Sequence, residues 1–129
     1  MLTLLLAATA LAQGKDPSPH KVHFVTVEEG VRIEVLDWGG DSTKRAVVLL
    51  TGSGNTAHIY DEFAHKLAEC RRVYSITRRG YGESTHPEAG YANQRLAEDE
   101  YQVIDKLGIS KPVVAGHSMA GGRALRSRQ

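Results

Sequence analysis

Ala46-Val47-Val48-Leu49-Leu50 is an unbroken apolar run, and it constrains the fold more than any other segment. A strand with one wet face alternates apolar and polar residues; a continuous run belongs to a strand covered on both faces, as in a parallel sheet. Val73-Tyr74-Ser75-Ile76-Thr77 and Pro112-Val113-Val114-Ala115 read as two further buried strands. Between the first two, Ile59, Tyr60, Phe63, Ala64, Leu67 and Ala68 are spaced as one face of a helix. Leu96, Ala97, Tyr101, Ile104 and Leu107 place a second amphipathic helix over about residues 92–107, closed by Gly108.

Ahead of this unit, Val22–Val27 and Val31–Leu36 are rich in β-branched residues and flank Glu29-Gly30, a hairpin pattern. The predicted fold class is therefore α/β: an antiparallel hairpin, then parallel β-α-β-α-β strands, ending in the glycine-rich turn Gly116-His117-Ser118. A chain of 129 residues holds one domain. Its 41% hydrophobic and 24% charged residues exclude a disordered chain and a multi-span membrane protein. A net charge of +1 supplies no global field for nucleic acid or anionic lipid. The single cysteine, Cys70, excludes an intramolecular disulfide and a multi-cysteine zinc site.

Residues 1–12, MLTLLLAATALA, form an apolar leader. At ~1.5 Å per residue it spans roughly 18 Å as a helix, short of the ~30 Å hydrocarbon core of a bilayer, so no stable membrane span is expected. Ala10-Leu11-Ala12 has the small-x-small form of a signal cleavage site. The expectation is a signal peptide cut before Gln13 and a secreted or periplasmic protein, with a cytoplasmic protein as the alternative. Residues 13–21 read as a polar, proline-containing spacer and residues 22–129 as the domain.

Gly116-His117-Ser118-Met119-Ala120-Gly121 follows a strand and precedes a helix. A serine at such a sharp turn adopts strained backbone geometry and presents its hydroxyl at the strand's C-terminal end. Its neighbours two positions away must then be small, and Gly116 and Ala120 are. The bland alternative is a helix-capping serine in an ordinary βα loop. Acyl transfer also needs fixed N–H donors for an oxyanion. Met119 follows the serine, and Thr51-Gly52-Ser53-Gly54 follows an earlier strand with glycines that allow close main-chain approach.

Taken together, LLTGSGNTAHIYDEFAHKL, ITRRGYGEST and VVAGHSMAG resemble the α/β-hydrolase superfamily, in its order and over about residues 22–122. The resemblance implies that Ser118 is the nucleophile and that the amides of Ser53 and Met119 form the oxyanion hole. Arg79-Gly80-Tyr81-Gly82 matches the R-G-x-G turn after the family's fourth strand, while Thr51 stands where many members carry His. A serine nucleophile sets the chain apart from the dehalogenase and epoxide branches, which the resemblance associates with Asp. The implied activity is serine esterase-like acyl transfer to water, on a small-molecule ester-like substrate, with no cofactor, metal or nucleic acid.

In this family the order is Ser, then acid, then His. The residues after Ser118 contain neither Asp, Glu nor His. Of the six histidines, His20, His23, His58, His65 and His117 are poorly placed by sequence, and His86 follows the R-G-x-G turn. The resemblance implies eight strands, of which this chain carries five. The expectation is a truncated member of the family, catalytically silent alone, with an apolar sheet edge facing solvent. Two rivals stand beside it. One is a non-catalytic protein that keeps the fold for interaction. The other is an NADP-binding module, with Gly52–Ala57 as a G-x-G-x-x-A fingerprint and Arg78 and Arg79 meeting a 2′-phosphate.

Overall fold

The computed structural model describes residues 19–126; the expected leader and most of the spacer lie outside them. β1 (Lys21–Glu28) and β2 (Val31–Asp37) form the antiparallel hairpin, β1 starting one residue inside the expected spacer. β3 (Val47–Leu50) leads through a short 3₁₀ turn (Ala57–Tyr60) into α1 (Asp61–Leu67). Then come β4 (Val73–Thr77), α2 (Asn93–Lys106), β5 (Val113–Gly116) and α3 (Met119–Arg126). The sheet order is β1-β2-β4-β3-β5, with β2 antiparallel to β4 and β3 parallel to both β4 and β5.

Both sheet faces are covered, as the apolar runs require. Val48 and Leu50 join Ile33, Val35 and Ile76 in a core closed by Val103 of α2 and Ala120 of α3. Val47 and Leu49 face the other way, onto Leu36, Trp38 and Val73, under Ala57 and Ala64. β2 lies between β1 and β4 and is buried from Ile33 through Asp37, so its alternation understates its burial.

Three expectations need correction. Ile59 and Phe63, expected on the buried helix face, are exposed; Ala57 and Ala64 approach the sheet instead. Tyr101 is also exposed, because α2 turns Leu96, Asp99, Glu100 and Val103 inward. β5, read as a buried strand, is only half-buried at Val113 and Val114, because it is the sheet edge among the described residues, as the expected apolar edge has it. Val114 lines an open apolar groove together with Tyr101, Ile104, Ile109 and Pro112. Among the described residues no helix is long and apolar enough to cross a membrane.

Candidate active site

Ser118 occupies the turn between β5 and α3 with φ of 58°, in the left-handed region that non-glycine residues rarely enter. Such a backbone costs on the order of 1–3 kcal/mol and persists where its surroundings over-determine it. Here they do. Ala120 N–H donates to the His117 carbonyl and Gly121 N–H to the Ser118 carbonyl, both at 3.1 Å. A Cβ on Gly116 would stand 2.6 Å from the Ala120 carbonyl carbon and oxygen, so no side chain fits there. Ala120 itself is fully buried, which limits its size.

The glycine loop after β3 packs directly on this turn. A Cβ on Gly52 would meet the His117 carbonyl oxygen at 2.9 Å and the Ser118 Cβ at 3.3 Å. The loop is tied down from several sides. Thr51, buried, donates its hydroxyl to the Ile76 carbonyl, and Tyr60 donates to the Leu50 carbonyl. Thr77 Oγ1 accepts from the Ala57 amide at 2.8 Å and donates to Glu34 Oε1 at 2.7 Å. Ser84 then links the Thr77 carbonyl to the Glu34 amide, fixing the R-G-x-G turn to β2 and β4.

Ser53 is exposed in the turn of that loop, and Met119 is exposed at the start of α3. The first amides of a helix have no intrahelical acceptor, so the Met119 N–H is a donor beside Ser118. The structure thus gathers Ser118, Gly116, Ala120, Met119 and the Gly52–Ser53 loop at the C-terminal ends of β5 and β3.

Beside them stands Tyr81. Its hydroxyl lies 3.5 Å from Ser53 Oγ and accepts from Arg78 Nη2 at 2.8 Å, with the Arg78 guanidinium 4.3 Å above the ring. Hydrogen bonds from Ser53, from the Gly54 amide and from Arg78 hold the phenol below the usual tyrosine value.

No hydrogen bond joins Ser118 to a histidine among the described residues. His86 Nε2 is 2.9 Å from the Gly82 carbonyl, His58 Nδ1 is 3.1 Å from Asp61, and His23 Nε2 is 3.5 Å from Asp37. His20 packs against Trp38 with the rings tilted by 53°, and His65 and His117 are exposed. Among the described residues no cluster of His, Cys, Asp or Glu is arranged to hold a metal ion.

Arg79 does not supply the 2′-phosphate contact that the NADP reading gave it. It is 1% exposed, with Nε and Nη2 donating to the two Asp99 oxygens at 2.6 and 2.8 Å and Nη2 meeting Glu28 at 2.9 Å. A guanidinium locked between two carboxylates has no face left for a phosphate. Glu34, Asp37, Asp99 and Glu100 are buried acids that sequence reasoning missed. For Asp99 a signal existed: it sits between Leu96 and Val103 on the inward stripe of α2.

A profile of the alpha/beta hydrolase fold family matches residues 45–126. The chain belongs to that family. It is 34% identical over 102 residues to the bifunctional esterase/perhydrolase DCH of Acinetobacter calcoaceticus, covering 77% of this chain and 36% of that protein. It is 32% identical over 109 residues to bifunctional epoxide hydrolase 2 of Rattus norvegicus, covering 81% of this chain and 19% of that protein. Among solved structures, an esterase from Exiguobacterium antarcticum superposes with a TM-score of 0.75 at 31% identity, over 82% of this chain and 39% of the esterase. This α/β-hydrolase chain thus spans well under half the length of each of these relatives.

Proposed function

We propose that the chain carries the nucleophile and oxyanion portion of a serine esterase-like hydrolase, acting on small-molecule esters through an acyl-Ser118 intermediate. The strained Ser118 backbone, seated against the Gly52–Ser53 loop, carries this reading. Ser118 Oγ would attack the ester carbonyl, and the Ser53 and Met119 amides would receive the charge that develops on its oxygen. The proton of Ser118 must pass to a base and from there to the departing alcohol. In the family's chain order that base and its acid follow the nucleophile. The reading therefore assigns them to sequence C-terminal to residue 129 and makes this chain alone catalytically silent. Losing the base of a complete triad costs on the order of 10⁶ in turnover. Relatives include both esterases and epoxide hydrolases; the serine at 118 favours the ester side.

The DNA beyond codon 129 tests the reading first: a frame encoding a later acid, a later histidine and further βα units supports it. In the chain so extended, Ser118→Ala abolishes ester turnover, and retained turnover overturns the assignment. A fluorophosphonate probe that labels Ser118 stoichiometrically in the 129-residue chain would reveal a base that this reading lacks. Export is proposed on the leader alone; a recovered protein that begins at Met1 rather than Gln13 would count against it.

A further inference from the structure

The glycine loop of residues 51–56 is anchored at both ends and unpacked at its tip. Thr51 Oγ1 donates to the Ile76 carbonyl at one end, and the Ala57 amide donates to Thr77 Oγ1 just past the other. Ser53 and Gly54 form the turn between, with Ser53 exposed, Gly54 at φ of 80° and open space where a Gly54 Cβ would stand. Asn55 Nδ2, 3.5 Å from the Ser53 carbonyl, bonds within the same turn. What reaches the tip from outside is the R-G-x-G turn. Tyr81 sets its hydroxyl 3.5 Å from Ser53 Oγ. One residue on, a Cβ on Gly82 would meet Thr56 Cγ2 at 2.9 Å, so bare glycine lets the turn lie against the loop's far limb. Arg78 fixes Tyr81 in its place, donating Nη2 to the hydroxyl at 2.8 Å with the guanidinium 4.3 Å from the ring centroid. The turn itself is held to the sheet: Ser84 bridges the Glu34 amide and the Thr77 carbonyl, and the Thr85 amide donates to the Arg32 carbonyl. The exposed tip thus has a side-chain tether that runs back to β2 and β4.

We propose that Tyr81 is a positioning residue for the oxyanion hole: its hydroxyl tethers the Ser53–Gly54 tip and keeps the Ser53 amide aimed at the carbonyl that Ser118 attacks. The inference deepens the serine-hydrolase reading and rests on it for the oxyanion; the tether itself is a property of this chain. Tyr81 acts through the loop, not on the reacting atoms. Gly52, next to Ser53, already rests on the Ser118 turn, so a swing about Gly54 moves the Ser53 amide relative to the nucleophile. Backbone donors stabilise a developing oxyanion because they need no reorientation during the reaction. A tip left free would have to be ordered at every turnover. At 3.5 Å the Tyr81–Ser53 contact is a long, single hydrogen bond, so its effect on kcat is modest, about fivefold.

The test begins with NMR on the 129-residue chain. Tyr81→Phe keeps the ring against Arg78 and removes only the hydroxyl. Amide order parameters at Ser53 and Gly54 should fall from the rigid-backbone value of about 0.85 toward about 0.6, while those at Thr51 and Ala57 hold. A second measurement leaves Tyr81 in place and follows its Cζ through an alkaline titration. Ser53→Ala removes a donor to the phenolate and should move the Tyr81 midpoint up toward the ordinary value of about 10. General loosening of the fold would not link those two side chains. Unchanged order at the tip in folded Tyr81→Phe, or a Tyr81 midpoint that Ser53→Ala leaves where it was, overturns the tether. In the chain extended to an active enzyme, Tyr81→Phe should lower kcat about fivefold and leave KM unchanged. Unchanged kcat there overturns the positioning role even if the tether stands. Absence of chemistry at Ser118 in the extended chain fails the hydrolase reading and takes the oxyanion role with it, whereas the two NMR results still decide the tether.

Discussion

Removing Asp99 should destabilise this fold more than removing any single aliphatic contact of comparable size on α2. Its carboxylate receives both prongs of the Arg79 fork, at 2.6 and 2.8 Å, and Arg95 Nη2 at 2.7 Å. Asp99→Leu leaves the Arg79 guanidinium buried, with Glu28 at 2.9 Å, itself 40% exposed, as its remaining carboxylate and the Ala89 carbonyl at 3.2 Å as a neutral acceptor. Breaking a buried pair by deleting one partner costs about 3–5 kcal/mol; the surviving Glu28 contact places this case near about 3. Arg79→Met should cost less, about 2 kcal/mol, because Asp99 keeps Arg95. The double substitution places two apolar side chains where the ions met. It should cost about 2 kcal/mol against about 5 for the sum of the singles, a coupling of about 3 kcal/mol, and so be better tolerated than Asp99→Leu alone. Against a typical domain stability of about 5–15 kcal/mol, these differences are easily read. Urea unfolding followed by far-UV circular dichroism supplies them. A loss below about 1 kcal/mol for Asp99→Leu, or a double variant no better than the worse single, would refute the claim that this pair is a dry, mutually dependent contact.

Why this pair escaped the sequence is instructive. Arg79 belongs to a turn motif and Asp99 to a helix, and nothing local announces that they meet. Apolar rhythm made the strands legible, since β3 and β4 are covered on both faces and their runs say so. The elbow was legible because sterics dictate it: a Cβ on Gly116 would stand 2.6 Å from the Ala120 backbone, so only glycine fits. Helix phase was not legible after β3. The segment opens as a 3₁₀ turn, Ala57–Tyr60, before becoming α-helical at Asp61. A change from about 3.0 to about 3.6 residues per turn shifts every later residue around the axis. Small Ala57 and Ala64 then let the segment approach the sheet closely, which turns the larger Ile59 and Phe63 outward. Reading hydrophobicity alone puts the large residues in.

Three further predictions follow. Gly116→Val must push the Ala120 backbone away from β5; it should destabilise the chain by about 1–3 kcal/mol and, in an active extended chain, abolish esterase activity, and unchanged melting and turnover would contradict the elbow geometry. Thr77→Val removes the hydroxyl that joins the Ala57 amide to Glu34, leaving both buried without that partner; a cost of about 1–3 kcal/mol in urea unfolding is expected, and a neutral effect would show that the glycine loop is anchored elsewhere. Acid should selectively weaken the β2–β4 side of the sheet through Asp37. Burial raises the pKa of this carboxyl, but hydrogen bonds from Arg72, the Gly39 amide and His23, with the Arg72 charge, outweigh it and hold the carboxyl below the ordinary aspartate value. A depressed folded-state pKa contributes stability that is complete above the unfolded value of about 3.9 and drains away as pH falls through the folded value. The stability gap between the natural chain and Asp37→Asn should therefore hold steady from neutrality to about pH 5 and close below about pH 4. A gap as wide at about pH 3 as at neutrality would mean that the Asp37–Arg72 contact, though 2.6 Å long, is not what the carboxylate's charge stabilises.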